Sequence, residues 1–307
     1  MSSNRESKSA SATKTLPPKV DWEFYKAGTS GDVAAMQALG LPNAKTVRRV
    51  FEAACVSGDL KVVQYLVLVA ADTVRYEWSS FQLACAHGHA AVAQCLVREK
   101  LVVLTKDERA LQETFAITCG SGREGCFSVA KWLQSKAGRA LRPGRLGAWQ
   151  AACVAGNRDV ADWLLTMGLV LPQLMPPLFV RELCARGRVE VLVWLDTLRV
   201  DWTKAQAFGH LCVCIAEACE GGHLDTAKHV FARVPTDVAR FSPSSIATGL
   251  LSSAMQKAKA RGFVDVCSWL QSYVLPRVVA AVPHVPHTHV VAVGSSTKPW
   301  RSFEFST

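Results

Sequence analysis

Eight glycines divide the chain at near-regular intervals. Gly31, Gly58, Gly88, Gly122, Gly156, Gly187, Gly222 and Gly262 are separated by 27, 30, 34, 34, 31, 35 and 40 residues. Self-similarity at a fixed period of this size is the signature of a repeat array and outweighs any reading of single segments. Seven residues before each glycine stands a large apolar residue: Phe24, Phe51, Phe81, Phe115, Trp149, Val180, Ile215 and Met255. Four, five and eight residues after it come apolar residues such as Val62, Val63 and Leu66, or Val160, Ala161 and Leu164. These offsets share one helical face. The fourth unit carries three extra residues, which move its leucine to Leu133. Each unit therefore predicts a short helix, a glycine stop and a second helix. A helix that ends in the left-handed region favours glycine, which has no Cβ to clash. Asp159, Glu190, Asp225 and Asp265, three places after their glycines, fall in the first turn of the second helix, where the helix dipole favours negative charge.

Three residues before the glycine, six of the eight units carry cysteine: Cys55, Cys85, Cys119, Cys153, Cys184 and Cys219. A free cysteine packs as a small hydrophobe. Zinc sites need clustered ligands such as paired CxxC, and this chain has no CxxC. The recurrent cysteines are predicted to be packing residues, too far apart from repeat to repeat for a disulfide, with no metal and no cofactor. Cys212 and Cys214 are the one close pair. Trp132, Trp163, Trp194 and Trp269 precede the periodic leucine of the second helix and are expected to pack against the next repeat. His89 and His223 directly follow the repeat glycine, and neither shares an offset with a nucleophile and an acid. His87, His210 and His229 share no offset with a nucleophile and an acid. Phosphate-binding loops, dinucleotide fingerprints and nucleophile elbows are absent, so no catalysis is expected.

The pattern resembles the ankyrin repeat, whose core runs roughly LHLAA-x-x-G-H-L-E-V-V-K-L-L. "AACVSGDLKVVQYL" and "EACEGGHLDTAKHV" match it, and the resemblance covers residues 22 to 271. Two departures stand out. The Thr-Pro-Leu-His opening is missing, and the Gly-Ala-Asp-Val-Asn hairpin survives only in traces. Degenerate arrays of this kind are similar to those encoded by large DNA viruses and by protists. The resemblance implies an all-α, helix-turn-helix solenoid of about eight repeats over 21–272. Polar, basic residues 1–20 and Pro/Val-rich residues 273–307 are expected as flexible tails. It also implies a concave face that binds a protein partner through the two residues before each glycine. On that ground His87, Arg186, Glu220 and Arg261 are candidate partner-binding residues.

The formal charge of +10 is spread thinly. Residues 1–19 hold four Lys or Arg against one Glu, and residues 272–307 hold three against one. The remaining excess is not that of a strongly basic domain. One segment, 131–145, concentrates Lys131, Lys136, Arg139, Arg142 and Arg145 without an acid. It reads as a basic loop between the fourth and fifth units, able to contact an acidic protein or a phosphate backbone. Lys257, Lys259 and Arg261 mark the last unit as a C-terminal cap. The amino terminus lacks a secretory signal, and no apolar run reaches the roughly 18 residues of a membrane span. A monomer in the cytoplasm, the host's for a viral protein, is the expectation. The leading functional reading is a non-catalytic protein–protein interaction scaffold. Its alternatives are a substrate adaptor for a ubiquitin ligase and a nucleic-acid binder acting through the basic segment.

Overall fold

The computed structural model describes residues 18–74, 78–169, 176–198, 200, 202, 208–234 and 245–276. Among them the chain is all-helical, with no strand. The first three pairs are α1 (Pro18–Thr29) and α2 (Val33–Leu39), α3 (Ala44–Ser57) and α4 (Leu60–Val74), and α5 (Trp78–Ala86) and α6 (Ala90–Arg98). The next three are α7 (Glu108–Gly120) and α8 (Cys126–Leu141), α9 (Arg145–Ala155) and α10 (Arg158–Thr166), and α11 (Pro177–Ala185) and α12 (Val189–Thr197). The last two are α13 (Phe208–Glu220) and α14 (Leu224–Phe231), and α15 (Ser245–Ala260) and α16 (Val264–Trp269). A π-helical turn, Leu270–Val274, extends α16, and helix continues through residue 276, past the expected boundary at 272. At the other end α1 begins at Pro18, inside the segment 1–20 expected as a tail, and the rest of both proposed tails lies outside the described residues.

Every marker glycine has positive φ, between 65° and 83°. Gly58 shows what that achieves. At φ 81° it closes α3, and its N–H bonds back to the Ala54 carbonyl. First helices then stack on first helices in unbroken order, from α1 on α3 through α13 on α15. Second helices stack likewise, with α2 on α4, α4 on α6, α6 on α8 and α12 on α14. The apolar residue seven before the glycine is buried in the first seven units, and Met255 is half-buried in the last. The six recurrent cysteines are also buried. Gly28 takes the cysteine's place in the first unit because α3 is close: a Cβ there would lie 2.2 Å from Val50 Cγ1. Lys259 takes it in the last unit and is exposed.

In the third, fifth and sixth units the residue after the glycine hydrogen-bonds to the unit before it. His89 donates through Nε2 to the Val56 carbonyl (2.8 Å), and Asn157 donates through Nδ2 to Cys119 O (2.9 Å). Arg188 donates to both Val154 O (3.0 Å) and Ala155 O (2.8 Å). Each acceptor is an end-of-helix carbonyl with no intrahelical partner. In the fourth unit, whose extra residues are Arg123–Gly125, Cys126 does the same from Sγ to Ala86 O at 3.4 Å. His223 lies against Gly187, where a Cβ would come within 2.4 Å of Nδ1.

The tryptophans do pack between repeats, but in the opposite direction from that expected. Trp132 meets Phe81 (6.5 Å between ring centres), Trp163 meets Phe115 (6.4 Å) and Trp194 meets Trp149 (6.1 Å). Each partner belongs to the preceding unit. Side chains on a helix lean toward its N-terminus, so helical spacing identifies a buried face without saying which neighbour covers it. Trp269 follows suit on Phe231 at 5.7 Å. On the second-helix side, Asp196 accepts from Trp202 Nε1 (2.9 Å) and from Arg233, linking α12 to α14.

Candidate functional site

The ends of the first helices leave a row of side chains that no neighbour covers. Two open grooves run along it. One, of about 520 Å³, is lined by Ala86 and His87 of unit three and by Ala116, Ile117, Gly120 and Ser121 of unit four. Arg123, then Ala151, Val154 and Ala155 of unit five, and Arg186 of unit six complete it. The other, of about 650 Å³, is lined by Leu178, Arg181, Glu182 and Ala185 of unit six, Glu217, Glu220 and Gly221 of unit seven, and Arg261 of unit eight. The four candidate partner-binding residues thus divide into two sets. His87 and Arg186 share the first groove, and Glu220 and Arg261 share the second.

Both grooves also use positions that the spacing argument passed over. Ala116, Ile117, Arg181, Glu182 and Glu217 stand five or six residues before their glycines, and Leu178 stands nine before. One turn back along a helix returns to the same face. The signal was therefore available as a continuation of the same period from the last two residues of each first helix.

The grooves differ in chemistry. In the second, charges are matched within the chain. Arg181 donates to Glu217 (2.6 Å), which holds its guanidinium above the usual range, chiefly through that hydrogen bond. Arg186 reaches Glu182 (2.6 Å), Lys257 reaches Glu220 (2.9 Å), and Arg261 donates to the Glu220 carbonyl. In the first groove no carboxylate contributes to the lining. Its floor is made of small residues. Gly120 lets α7 and α9 approach closely, since a Cβ there would lie 3.1 Å from Ala151 Cβ. Ile117 stands beside this floor and is 45% exposed. At one rim Arg123 donates to His87 Nδ1. Partial burial, then Arg123, then His89 push the His87 pKa down, so its ring is neutral at pH 7.

The basic segment differs from expectation. Lys131, Lys136 and Arg139 lie on α8, which runs past a non-helical Ala137 to Leu141. Only a short turn before Arg145 is loop. The apolar period continues beneath the charges, with Leu133, Ala137 and Leu141 buried, and helix continues with it. Lys131 sits over the Phe127 ring at 3.9 Å. Arg145 is half-buried and donates to Met167 O (3.0 Å) at the end of α10. Lys136, Arg139 and Arg142 are left as an exposed basic group.

Burial raises the pKa of several of the recurrent thiols. Burial, followed by nearby Cys126, pushes Cys119 up to about 12. Burial first, then Cys267, does the same for Cys219, also to about 12. Burial also raises Cys85 and Cys153. Cys184 is raised first by a hydrogen bond with Cys214, a contact between adjacent units that the one-per-repeat spacing did not reveal. Among the described residues no three His, Cys, Asp or Glu side chains converge as a metal site would require, and no helix is long and apolar enough to cross a membrane. No protein-family model matches the chain, and no curated protein sequence is similar to it at a significant level.

Proposed function

We propose that the chain is a non-catalytic interaction scaffold of ankyrin type, which binds a protein partner along the uncovered row of its first helices. In ankyrin arrays this row is the concave side. The observation that carries the reading is the contrast between two sets of positions. Core positions repeat the same residue types from unit to unit, whereas the groove positions vary freely over the same helices. Ala86/His87, Gly120/Ser121, Val154/Ala155 and Ala185/Arg186 differ as pairs, with alanine alone recurring at the first place. A scaffold fixed by packing leaves such a row free to be shaped by a partner.

Affinity capture from cell lysate, at low and at high salt, tests the reading. The wild type is compared with a variant in which His87, Arg186 and Arg261 are all alanine. A protein held through high salt and lost with the variant is the expected result, and ubiquitin-ligase subunits in that eluate would assign the adaptor role. Nucleic acid alone, lost at high salt, retained by the variant and lost when Lys136, Arg139 and Arg142 are neutralised, would replace the scaffold reading with electrostatic nucleic-acid binding.

A further inference from the structure

The two grooves are not equivalent as docking sites. A partner entering the second groove meets side chains already engaged with one another, and must break those pairs or match them. A partner entering the first covers Ala116, Ile117, Gly120, Ala151 and Val154 and meets a single ion pair, Arg186 with Glu182, at one rim. Burial of apolar surface is the larger and less conditional source of affinity.

The charge in the first groove is also one-sided. Arg123 is exposed, and among the described residues its guanidinium hydrogen-bonds to the His87 ring and pairs with no carboxylate. A neutral ring accepting one N–H leaves the guanidinium's charge uncompensated and its other donors available. Across the groove, Arg186 adds a second guanidinium, bonded to Glu182 one turn earlier on α11. No acid lines the space between them.

From this arrangement we infer that the first groove takes a peptide segment with one branched apolar anchor, seated over Gly120 against Ile117, and an aspartate or glutamate nearby that pairs with Arg123. The inference rests on the proposed scaffold reading and names the partner's chemistry at that face. A guanidinium beside a carboxylate gives directional, charge-assisted bonds that fix the register of the segment. The anchor supplies the affinity, and the acid supplies the orientation.

Selection of random dodecapeptides displayed on phage against the full-length chain tests it. Ile117→Asp and Arg123→Glu change exposed side chains, and circular dichroism of each variant checks that the helices persist. The expected pool carries an apolar residue within a few positions of Asp or Glu. Its affinity should fall about tenfold or more in each variant, the equivalent of removing one anchor contact. Selection repeated on Arg123→Glu should return Lys or Arg in place of the acid. A pool indifferent to Ile117→Asp and Arg123→Glu but lost with Glu217→Lys would overturn this inference and leave the scaffold reading standing. A pool indifferent to all three variants would remove both.

Discussion

Gly88 and Gly262 occupy the same position in different units, and replacing each with alanine separates local strain from interlocking of the repeats. Both have left-handed φ, 83° and 81°. At Gly262 a Cβ would meet nothing within 4 Å. The cost there is conformational alone, about 1–2 kcal/mol for an L-residue in that region. The alanine also restricts the unfolded chain, which returns about 0.4–1 kcal/mol. A net loss of about 1 kcal/mol is expected. At Gly88 the same Cβ would lie 2.1 Å from Glu124 O and 2.9 Å from Cys126 N. Both are backbone atoms, one in the fourth unit's insertion and one at the residue that follows it, and neither can rotate aside. Gly125 is locked in return, since its own Cβ would fall 2.4 Å from Gly88 O. Accommodating the methyl must move the insertion and with it the Cys126 bond to Ala86. Overpacking of this kind adds about 1–3 kcal/mol. Gly88→Ala should therefore cost about 2–4 kcal/mol, and at least ~1 kcal/mol more than Gly262→Ala. Urea titration followed by far-ultraviolet circular dichroism and by tryptophan fluorescence measures both, because a repeat array need not unfold in one step. Deleting Arg123–Gly125 should bring the cost of Gly88→Ala down to that of Gly262→Ala. Equal losses in the intact chain would refute the interlocking argument.

Alkaline pH should unfold the chain steeply. The buried thiols have raised pKa values in the fold against 9.0 unfolded, so above about pH 9 the unfolded state sheds protons that the native state keeps. Each such thiol removes about 1.4 kcal/mol of stability per pH unit until its folded pKa is reached. Urea midpoints measured from pH 8 to 10.5 should show the slope flatten in Cys119→Ala and Cys219→Ala, and an unchanged slope would sink the claim. Alkylation by iodoacetamide under native conditions should modify Cys267 first, since it alone of the eleven cysteines is not fully buried; peptide mass mapping that finds Cys153 labelled equally fast would contradict the packing assignment. Arg188→Ala should cost about 1.5–3 kcal/mol by leaving the Val154 and Ala155 carbonyls without their charged donor, whereas Arg139→Ala on exposed α8 should change thermal stability little.

Some of this architecture is written in the sequence because its causes are local. A glycine at the end of a helix, a large apolar residue seven residues before it and a cysteine three before it are all set by helical period and the left-handed turn, and both act within a dozen residues. The helix pairs and the buried cysteines follow from that period. The direction in which Trp132, Trp163 and Trp194 pack is not local. Nor are the locking of Gly88 against the insertion of the next unit and the meeting of Cys184 with Cys214. Each depends on the rise and rotation from one repeat to the next, which no single unit encodes. The continuation of α8 through the basic segment rests on the burial of Leu133, Ala137 and Leu141, which the density of charge between them masks in the sequence. The first groove depends most on tertiary structure. Gly120, Ile117, Arg123 and Ala151 are unremarkable in sequence and become a site only when α7 and α9 come into contact.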